Sequence, residues 1–177
     1  MEMTISGLRE KLVNTDEEQL RELICQLYKH SEVSQQMIDS RFLGDDYGVR
    51  IAQEMKQKLD QAFFPHEKID LSLANAKELL RLFRKRCQNQ RALIDVELYY
   101  VECGLDFMNM FGAGDGENKN LLLVNYASAV ARILEDESHI YFHMYFSRCG
   151  QIIQATKEFT PEFVRNMTAV YQQLAKE

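Results

Sequence analysis

The sequence is poor in residues that interrupt helices, with two prolines and eight glycines among 177 residues. Proline removes a backbone donor and glycine has a weak helix propensity, so their scarcity favours long regular helices. No segment alternates apolar and polar residues between hairpin turns, as a half-buried strand would. Leu, Glu, Gln, Lys, Arg, Ala and Met are abundant instead. This balance predicts an all-α protein.

Closely spaced cysteines are also missing, since the four present are far apart: Cys25, Cys87, Cys103 and Cys149. Structural zinc sites and redox motifs need C-x-x-C pairs, so the sequence supports neither. Each cysteine falls within an apolar helical pattern, where a free thiol behaves as a small hydrophobic residue. We therefore expect four reduced core cysteines in a reducing cytosol.

The chain contains no run of 18 or more apolar residues, the length that a membrane-spanning helix needs. Its first residues, MEMTISGLREKL, include neither a basic segment nor an apolar segment of the kind that directs secretion. We therefore predict a cytoplasmic protein without a membrane partner.

An excess of positive charge is absent as well, because the net charge is −6 and the isoelectric point is about 5.3. An acidic domain lacks the overall field of a nucleic-acid binder. The run RLFRKRCQNQR, residues 81–91, is locally basic and could contact phosphates weakly. Such a run on a helix is usually a solvated face, so nucleic acid is an unlikely partner and stays a minor alternative.

Amphipathic segments with helix-start residues recur along the chain. Predicted N-caps are Thr15, Ser72, Ser138 and Thr160, with Glu18 completing a capping box and Pro161 at a first helical position. GDDYG predicts a break at 44–48, Pro65 ends the next helix, and Asn89–Gln90 forms a turn. The helix over 91–111, apolar on most faces, is expected to be the most buried.

These signals predict a single all-helical domain, 1–177, with eight to nine helices and no sheet. Short links between helices favour antiparallel neighbours. The fold is therefore expected to be a compact antiparallel bundle or a short stack of helical hairpins.

The segment MFGAGDGENKN holds three glycines at alternate positions: Gly112, Gly114 and Gly116. They follow a helix and lack the G-x-G-x-x-G spacing of a dinucleotide site. The Lys–Ser/Thr pair of a P-loop and the ligand order of a calcium loop are also missing, so the sequence predicts none of these three sites. We interpret the segment as a linker in which Gly112 ends one helix. Asp115 or Asn118 then caps the next, with Glu117 near its positive end. A weak ion contact at that helix start is the alternative.

His139 and His143 stand four residues apart, so both imidazoles could bind one metal ion from one helix face. The H-E-x-x-H motif is absent because Ile140 follows His139. The sequence also lacks the full set of carboxylate ligands that a di-iron bundle needs. The pair lies beside an aromatic stripe (Phe142, Tyr145, Phe146), which favours packing histidines. We predict no cofactor and keep the metal site as an alternative.

Three carboxylates share one face of the predicted buried helix: Asp95, Glu102 and Asp106. Buried carboxylates need partners, and the preceding helix offers a basic face of Lys77, Arg81 and Arg84. We predict an ion-pair seam between these helices. A polar pocket that uses Glu102 and Asp106 as acid/base groups or metal ligands, with Arg81 and Arg84 beside them, is the alternative.

Three segments carry a resemblance to a known family: Leu12 to Tyr28, the Phe63–Phe64–Pro65 helix end, and the Y-V-E-x-G-x-D-F segment from Tyr100 to Gly112. Together they resemble a family of small bacterial all-helical proteins of unknown function. The resemblance implies an all-α cytosolic fold. It brings no reaction and no catalytic residue.

The sequence thus favours a bacterial, non-catalytic binding or scaffolding module that acts through its helix faces. The expected partner is a protein, which includes a second copy in a homodimer. The rival is a metal-dependent enzyme with a carboxylate/histidine site between helices.

Overall fold

The protein is all-α, as predicted. The computed structural model describes residues 3–65, 73–112 and 116–176, and helices account for 84% of these with no strand among them. The nine helices in this part of the chain are α1 Ile5–Val13, α2 Glu17–His30, α3 Glu32–Phe42, α4 Gly44–Phe63, α5 Ala74–Arg86, α6 Gln90–Phe111, α7 Gly116–Leu134, α8 Ile140–Ala155 and α9 Pro161–Leu174.

Helix α6 is the centre of the fold, which confirms that its segment is the most buried. It packs most extensively against α7 and α4, and also contacts α5 and α8. Tyr100 and Phe107 of α6 are fully buried and meet Phe63 of α4, with ring centroids 5.1 and 6.2 Å away. Each large buried side chain contributes about 1.5–3 kcal/mol of hydrophobic stabilisation.

Helices α6 and α7 approach closely at Gly104. A Cβ atom there would lie 2.4 Å from Cδ2 of Leu122, so only glycine fits this contact without a shift. Further along α7, the buried Tyr126 hydroxyl donates a hydrogen bond of 3.1 Å to the carbonyl of Cys149 in α8. Helix α9 covers α7 and α8 through its buried Phe163, Met167 and Leu174. Helices α4 to α9 thus form one packed body.

The first two helices are packed very differently, because neither α1 nor α2 contains a buried residue. Helix α2 packs against α3, and α3 packs against α4 and α5. The buried Ser40 of α3 accepts a hydrogen bond of 2.8 Å from the backbone N–H of Gln88, just after α5. Helix α3 therefore joins the N-terminal helices to the body.

Several predicted helix starts are wrong by one to a few residues. Asp16, not Thr15, caps α2 by accepting a bond of 2.8 Å from the Gln19 N–H, and the Thr15 hydroxyl donates to the carbonyl of Lys11. A carboxylate such as that of Asp16 is a stronger acceptor than a threonine hydroxyl next to the positive helix end. Helix α4 begins at Gly44, so GDDYG forms its first turn rather than a break.

At α8 the predicted cap Ser138 is also wrong. His139 immediately precedes the helix with a φ of 56°, and Asp136 accepts the N–H of Tyr141 at 2.9 Å. The Ser138 hydroxyl donates to the same carboxylate. The hydrogen bonds to Ser138 and Tyr141 hold the pKa of Asp136 below its usual range.

Other predicted boundaries are confirmed in position. Asn89 caps α6 by accepting the Ala92 N–H at 2.9 Å, and Gly112 ends it with a φ of 64°. Thr160 precedes α9 and Pro161 opens it, although the Thr160 side chain makes no capping bond. Glu117 lies in the first turn of α7, as predicted. Asn118 is a buried residue inside α7 and not its cap, while Ser72, Gly114 and Asp115 lie outside the described residues.

Candidate functional site

A polar cavity of about 440 Å³ lies between α4, α6 and α8. It brings together Glu102 and Asp106, two residues that the sequence had singled out, and adds the Asp60 carboxylate of α4. The predicted ligands Arg81 and Arg84 are not in its wall. The lining residues are Asp60, Phe64, Tyr99, Glu102, Cys103, Leu105, Asp106, Gln151, Ile152 and Ala155.

One wall of this polar cavity is fixed by Arg148 of α8. Its guanidinium forms a bidentate pair with Glu102, with Nε–Oε1 and Nη2–Oε2 distances of 2.7 and 2.8 Å, and also binds the Asp95 carboxylate. Lys56 of α4 reaches the other Asp95 oxygen at 2.6 Å. Burial disfavours the charged guanidinium, yet hydrogen bonds and charges of Glu102 and Asp95 raise the pKa of Arg148 overall. These pairs tie α4, α6 and α8 together.

Neutral donors surround Asp60 in the same cavity. The Tyr99 hydroxyl donates to Oδ1 of Asp60 at 2.5 Å, and the Cys103 thiol lies 3.9 Å from the same oxygen. Burial, together with the Asp60 charge, raises the pKa of the Cys103 thiol to about 12, and burial with the Asp60 hydrogen bond raises the pKa of Tyr99. Near neutral pH both groups keep their protons, so they serve as donors and not as nucleophiles.

Asp106 also lines the polar cavity and is exposed to solvent. Burial and then the nearby charge of Glu102 raise the pKa of Asp106. The cavity can accept hydrogen bonds from a polar or cationic group, but its best-placed carboxylate, Glu102, is already engaged by Arg148. The contacts of Glu102 therefore favour a structural role for it.

The predicted seam between the two helices has different partners from those expected. Arg84 pairs with Glu97, a residue that sequence reasoning missed, at 2.7 Å. Arg81 pairs with Glu78 in its own helix, and Lys77 pairs with Glu117. The assignment of the α5 cations to Asp95, Glu102 and Asp106 is therefore wrong. The rotation of α6 directs Asp95 and Glu102 towards α8 instead.

Glu97 is the most deeply buried charged residue in the described part of the chain, with no exposed surface. Its Oε1 accepts hydrogen bonds from Nε of Arg84 at 2.7 Å and from the Ser128 hydroxyl at 3.1 Å. Its Oε2 lies 3.4 Å from Nε of Arg132. One carboxylate thus links α5, α6 and α7. The sequence signal was a single acidic residue among apolar ones (Leu93, Ile94, Leu98, Val101).

Most cations of the basic run 81–91 already have partners. Arg91 contacts Asp45 at 3.5 Å, in addition to the pairs of Arg81 and Arg84. Arg86 lines a groove of about 250 Å³ between α3, α4 and α5. Arg81, Arg84 and Arg91 thus have partners within the described chain, and a phosphate contact by the run stays a prediction.

His139 and His143 are both exposed, at the start of α8. The His143 ring lies 5.7 Å from the Phe142 ring beside it. In residues 3–65, 73–112 and 116–176, no group of three or more His, Cys, Asp or Glu side chains is placed to hold a metal ion. The metal site stays a prediction that gains no further ligand from this part of the structure.

Exposed apolar side chains are concentrated in the N-terminal helices. Of the seventeen large hydrophobic residues exposed in the described chain, eleven fall within residues 3–43. Helix α2 contributes Leu23, Ile24 and Leu27, which are 42%, 52% and 48% exposed. Helix α1 adds Ile5, Leu8 and Val13. We call these six residues the N-terminal apolar surface.

One cysteine prediction is wrong in the same region. Cys25 of α2 is exposed, whereas Cys87, Cys103 and Cys149 are buried as expected, and all four are free thiols. The apolar pattern of α2 had indicated a buried helix. Since α2 carries its apolar face outside the body, Cys25 does not enter a core.

Comparison of the chain with protein-family models, with curated proteins and with solved structures found no match. The resemblance to a bacterial all-helical family therefore remains a prediction. No helix among the described residues combines the length and apolarity needed to span a bilayer.

Proposed function

We propose that this chain is a non-catalytic binding module that recognises a protein through the N-terminal apolar surface. The observation that carries the proposal is the exposure of an amphipathic helix, α2, that buries no residue in its own fold. Leu23, Ile24 and Leu27 share one face of α2, and exposed apolar patches on soluble proteins mark interaction sites. An amphipathic helix face is a common unit of protein recognition.

The free energy available from burying the exposed α2 residues supports a role in binding. Leu23, Ile24 and Leu27 leave about half of their surface in water, so completing their burial would contribute about 1 kcal/mol each. Three such residues along one stripe could contribute about 3 kcal/mol to an association. That gain is realised when a partner covers them.

A cytoplasmic location accompanies this proposal. The cysteines of the chain are all free thiols, and proteins of oxidising compartments usually pair theirs. We further propose, from the resemblance described above, that the source is bacterial.

The proposal is tested by comparing proteins that bind to the wild type and to Leu23→Glu in extracts of its own cells. Residue 23 is exposed on α2, so the charge should leave folding intact while removing apolar recognition. The matched control is Ile140→Glu on α8, where Ile140 is 57% exposed. We expect a partner that is captured by the wild type and the control and is lost with Leu23→Glu. Identical binding by all three would exclude the N-terminal apolar surface as the recognition site.

A further inference from the structure

We infer that the partner covering α2 is a second copy of the same chain, with the two α2 helices packed antiparallel about a two-fold axis. This inference rests on the proposed function, because it identifies what the N-terminal apolar surface recognises. Two properties of α2 carry it, the spacing of its apolar residues and the separation of its charges, and its length sets the expected strength.

The apolar stripe of α2 is complementary to itself when reversed. Its four large residues, the exposed Leu23, Ile24 and Leu27 and the half-buried Leu20, are arranged symmetrically about the midpoint between positions 23 and 24. With a two-fold axis at that midpoint, Leu20 of each copy meets Leu27 of the other, and Leu23 meets Ile24. Every apolar residue thereby gains an apolar neighbour. The same patch is used on both copies, so the contact closes at two and does not propagate.

The charges of α2 favour the antiparallel direction. Its start is acidic, with Asp16, Glu17 and Glu18, and its last turn is basic, with Lys29 and His30. A parallel pair would place like charges together at both ends. An antiparallel pair places each acidic start beside a basic end, and it also opposes the two helix dipoles favourably. Neither Lys29 nor His30 forms an ion pair within the described part of the chain.

The wheel positions bring Asp16 and His30 to the edge of the contact. With 100° per residue, Asp16 and His30 both lie on the same flank of the apolar stripe. In an antiparallel pair that flank faces itself, so Asp16 of each copy approaches His30 of the other. Glu18 and Lys29 lie on the far side of the helix and contribute through the longer-range field.

The size of the contact sets its strength. Fourteen residues at 1.5 Å rise span about 21 Å, which is short for an interface that usually buries about 1,600 Å². We therefore expect a reversible dimer with a dissociation constant of about 1–100 μM.

The experiment is sedimentation velocity of the full chain from about 1 to 300 μM, a range that brackets the expected constant. The wild type, 20.7 kDa as a monomer, should convert to a dimer across this range. Leu23→Glu should weaken dimerisation by at least about 100-fold, because two buried carboxylates would face the apolar stripe. Ile140→Glu should dimerise as the wild type does. Circular dichroism melts confirm that all three are folded.

Helix direction is tested by disulfide trapping in a Cys25→Ser background. A mixture of Leu20→Cys and Leu27→Cys chains should form the mixed disulfide under mild oxidation, and each variant alone should stay largely uncrosslinked. Efficient trapping of Leu20→Cys with itself would overturn the antiparallel arrangement. The remaining cysteines are buried and do not compete.

The outcomes separate this inference from the proposed function. A wild type that stays monomeric up to about 300 μM, or a dimer that Leu23→Glu leaves intact, overturns the inference. If that monomer still captures a different protein through Leu23, the proposed function stands alone. If Leu23→Glu changes neither self-association nor capture, both are wrong.

Discussion

Helices α2 and α9 carry the same sequence signal, and the fold uses it for opposite purposes. Helix α2 and helix α9 are both amphipathic and 14 residues long. Helix α9 buries Phe163, Met167 and Leu174 in the body, whereas α2 buries none of its stripe. Periodicity therefore identifies an apolar face without saying what covers it. In α9 the cover is the chain itself, and in α2 we propose that it is a partner.

The largest expected difference between these regions is in thiol reactivity. Cys25 of α2 is exposed, whereas burial raises the pKa of Cys87 to about 11 and the pKa of Cys149 to about 12. At pH 8 the buried thiols stay protonated and shielded, so they react only when the body opens. We expect Cys25 to react at least about a thousandfold faster than the other three.

Time-resolved labelling with an aromatic disulfide reagent, followed by mass spectrometry of peptides, measures these rates. Unfolding in denaturant is the control, because all four thiols should then react alike. Rapid labelling of Cys149 in the native protein would show that the body is not the rigid part of the molecule.

The next largest effect is expected within the body at its buried ionic centre. Replacing Glu97 by Ala leaves Arg84 and Arg132 partly buried without their shared carboxylate. Breaking a buried pair in this way usually costs about 3–5 kcal/mol. Urea unfolding should show a loss of that size.

A control for this result is Glu22→Ala in α2, an exposed carboxylate bonded to Gln26 in its own helix, which should unfold like the wild type. Equal stability of Glu97→Ala and the wild type would mean that the Glu97 pairs contribute nothing to the body.

The smallest expected effect is the difference in the free energy of unfolding between Arg148→Ala and Arg81→Ala. Arg148 clamps Asp95 and Glu102 and is about one-fifth exposed, so Arg148→Ala should lower the free energy of unfolding by about 1–3 kcal/mol. Arg81 forms a fully exposed pair with Glu78 in its own helix. Its replacement by Ala should give no measurable change.

Chemical denaturation of both variants side by side provides the measurement. A larger loss for Arg81→Ala than for Arg148→Ala would restore the seam that the sequence had predicted between α5 and α6.

The sequence was sufficient to predict the helices. It was insufficient to predict how each helix is rotated about its axis, and therefore which neighbour each face meets. Apolar spacing and the low content of Pro and Gly predicted the fold class, the central position of α6 and the end at Gly112. The ion pairs depend on which neighbour each face of α6 meets, and this is a property of the packed body. Glu97 could have been identified as a lone charge among buried apolar residues. Arg148 could not have been matched to Glu102, since α8 and α6 are distant in sequence.

The predictions of two helix caps failed for a local reason. Thr15 and Ser138 each have an aspartate within two residues that competes for the same backbone donors, and a carboxylate is the stronger acceptor. The prediction that Cys25 is buried failed for a reason that involves the whole fold. Nothing in the pattern of α2 states that its apolar face lies outside the chain's own core.

The arrangement around Glu97 also constrains how this sequence can change over evolutionary time. One carboxylate serves Arg84, Arg132 and Ser128 on two different helices, so a substitution at any one of the charged positions strands the others. An apolar centre is attainable only by replacing all three charges, and each intermediate is less stable than either end point. Relatives of this protein should therefore carry the whole trio or none of it, as a covarying set that spans 48 positions of the chain between Arg84 and Arg132.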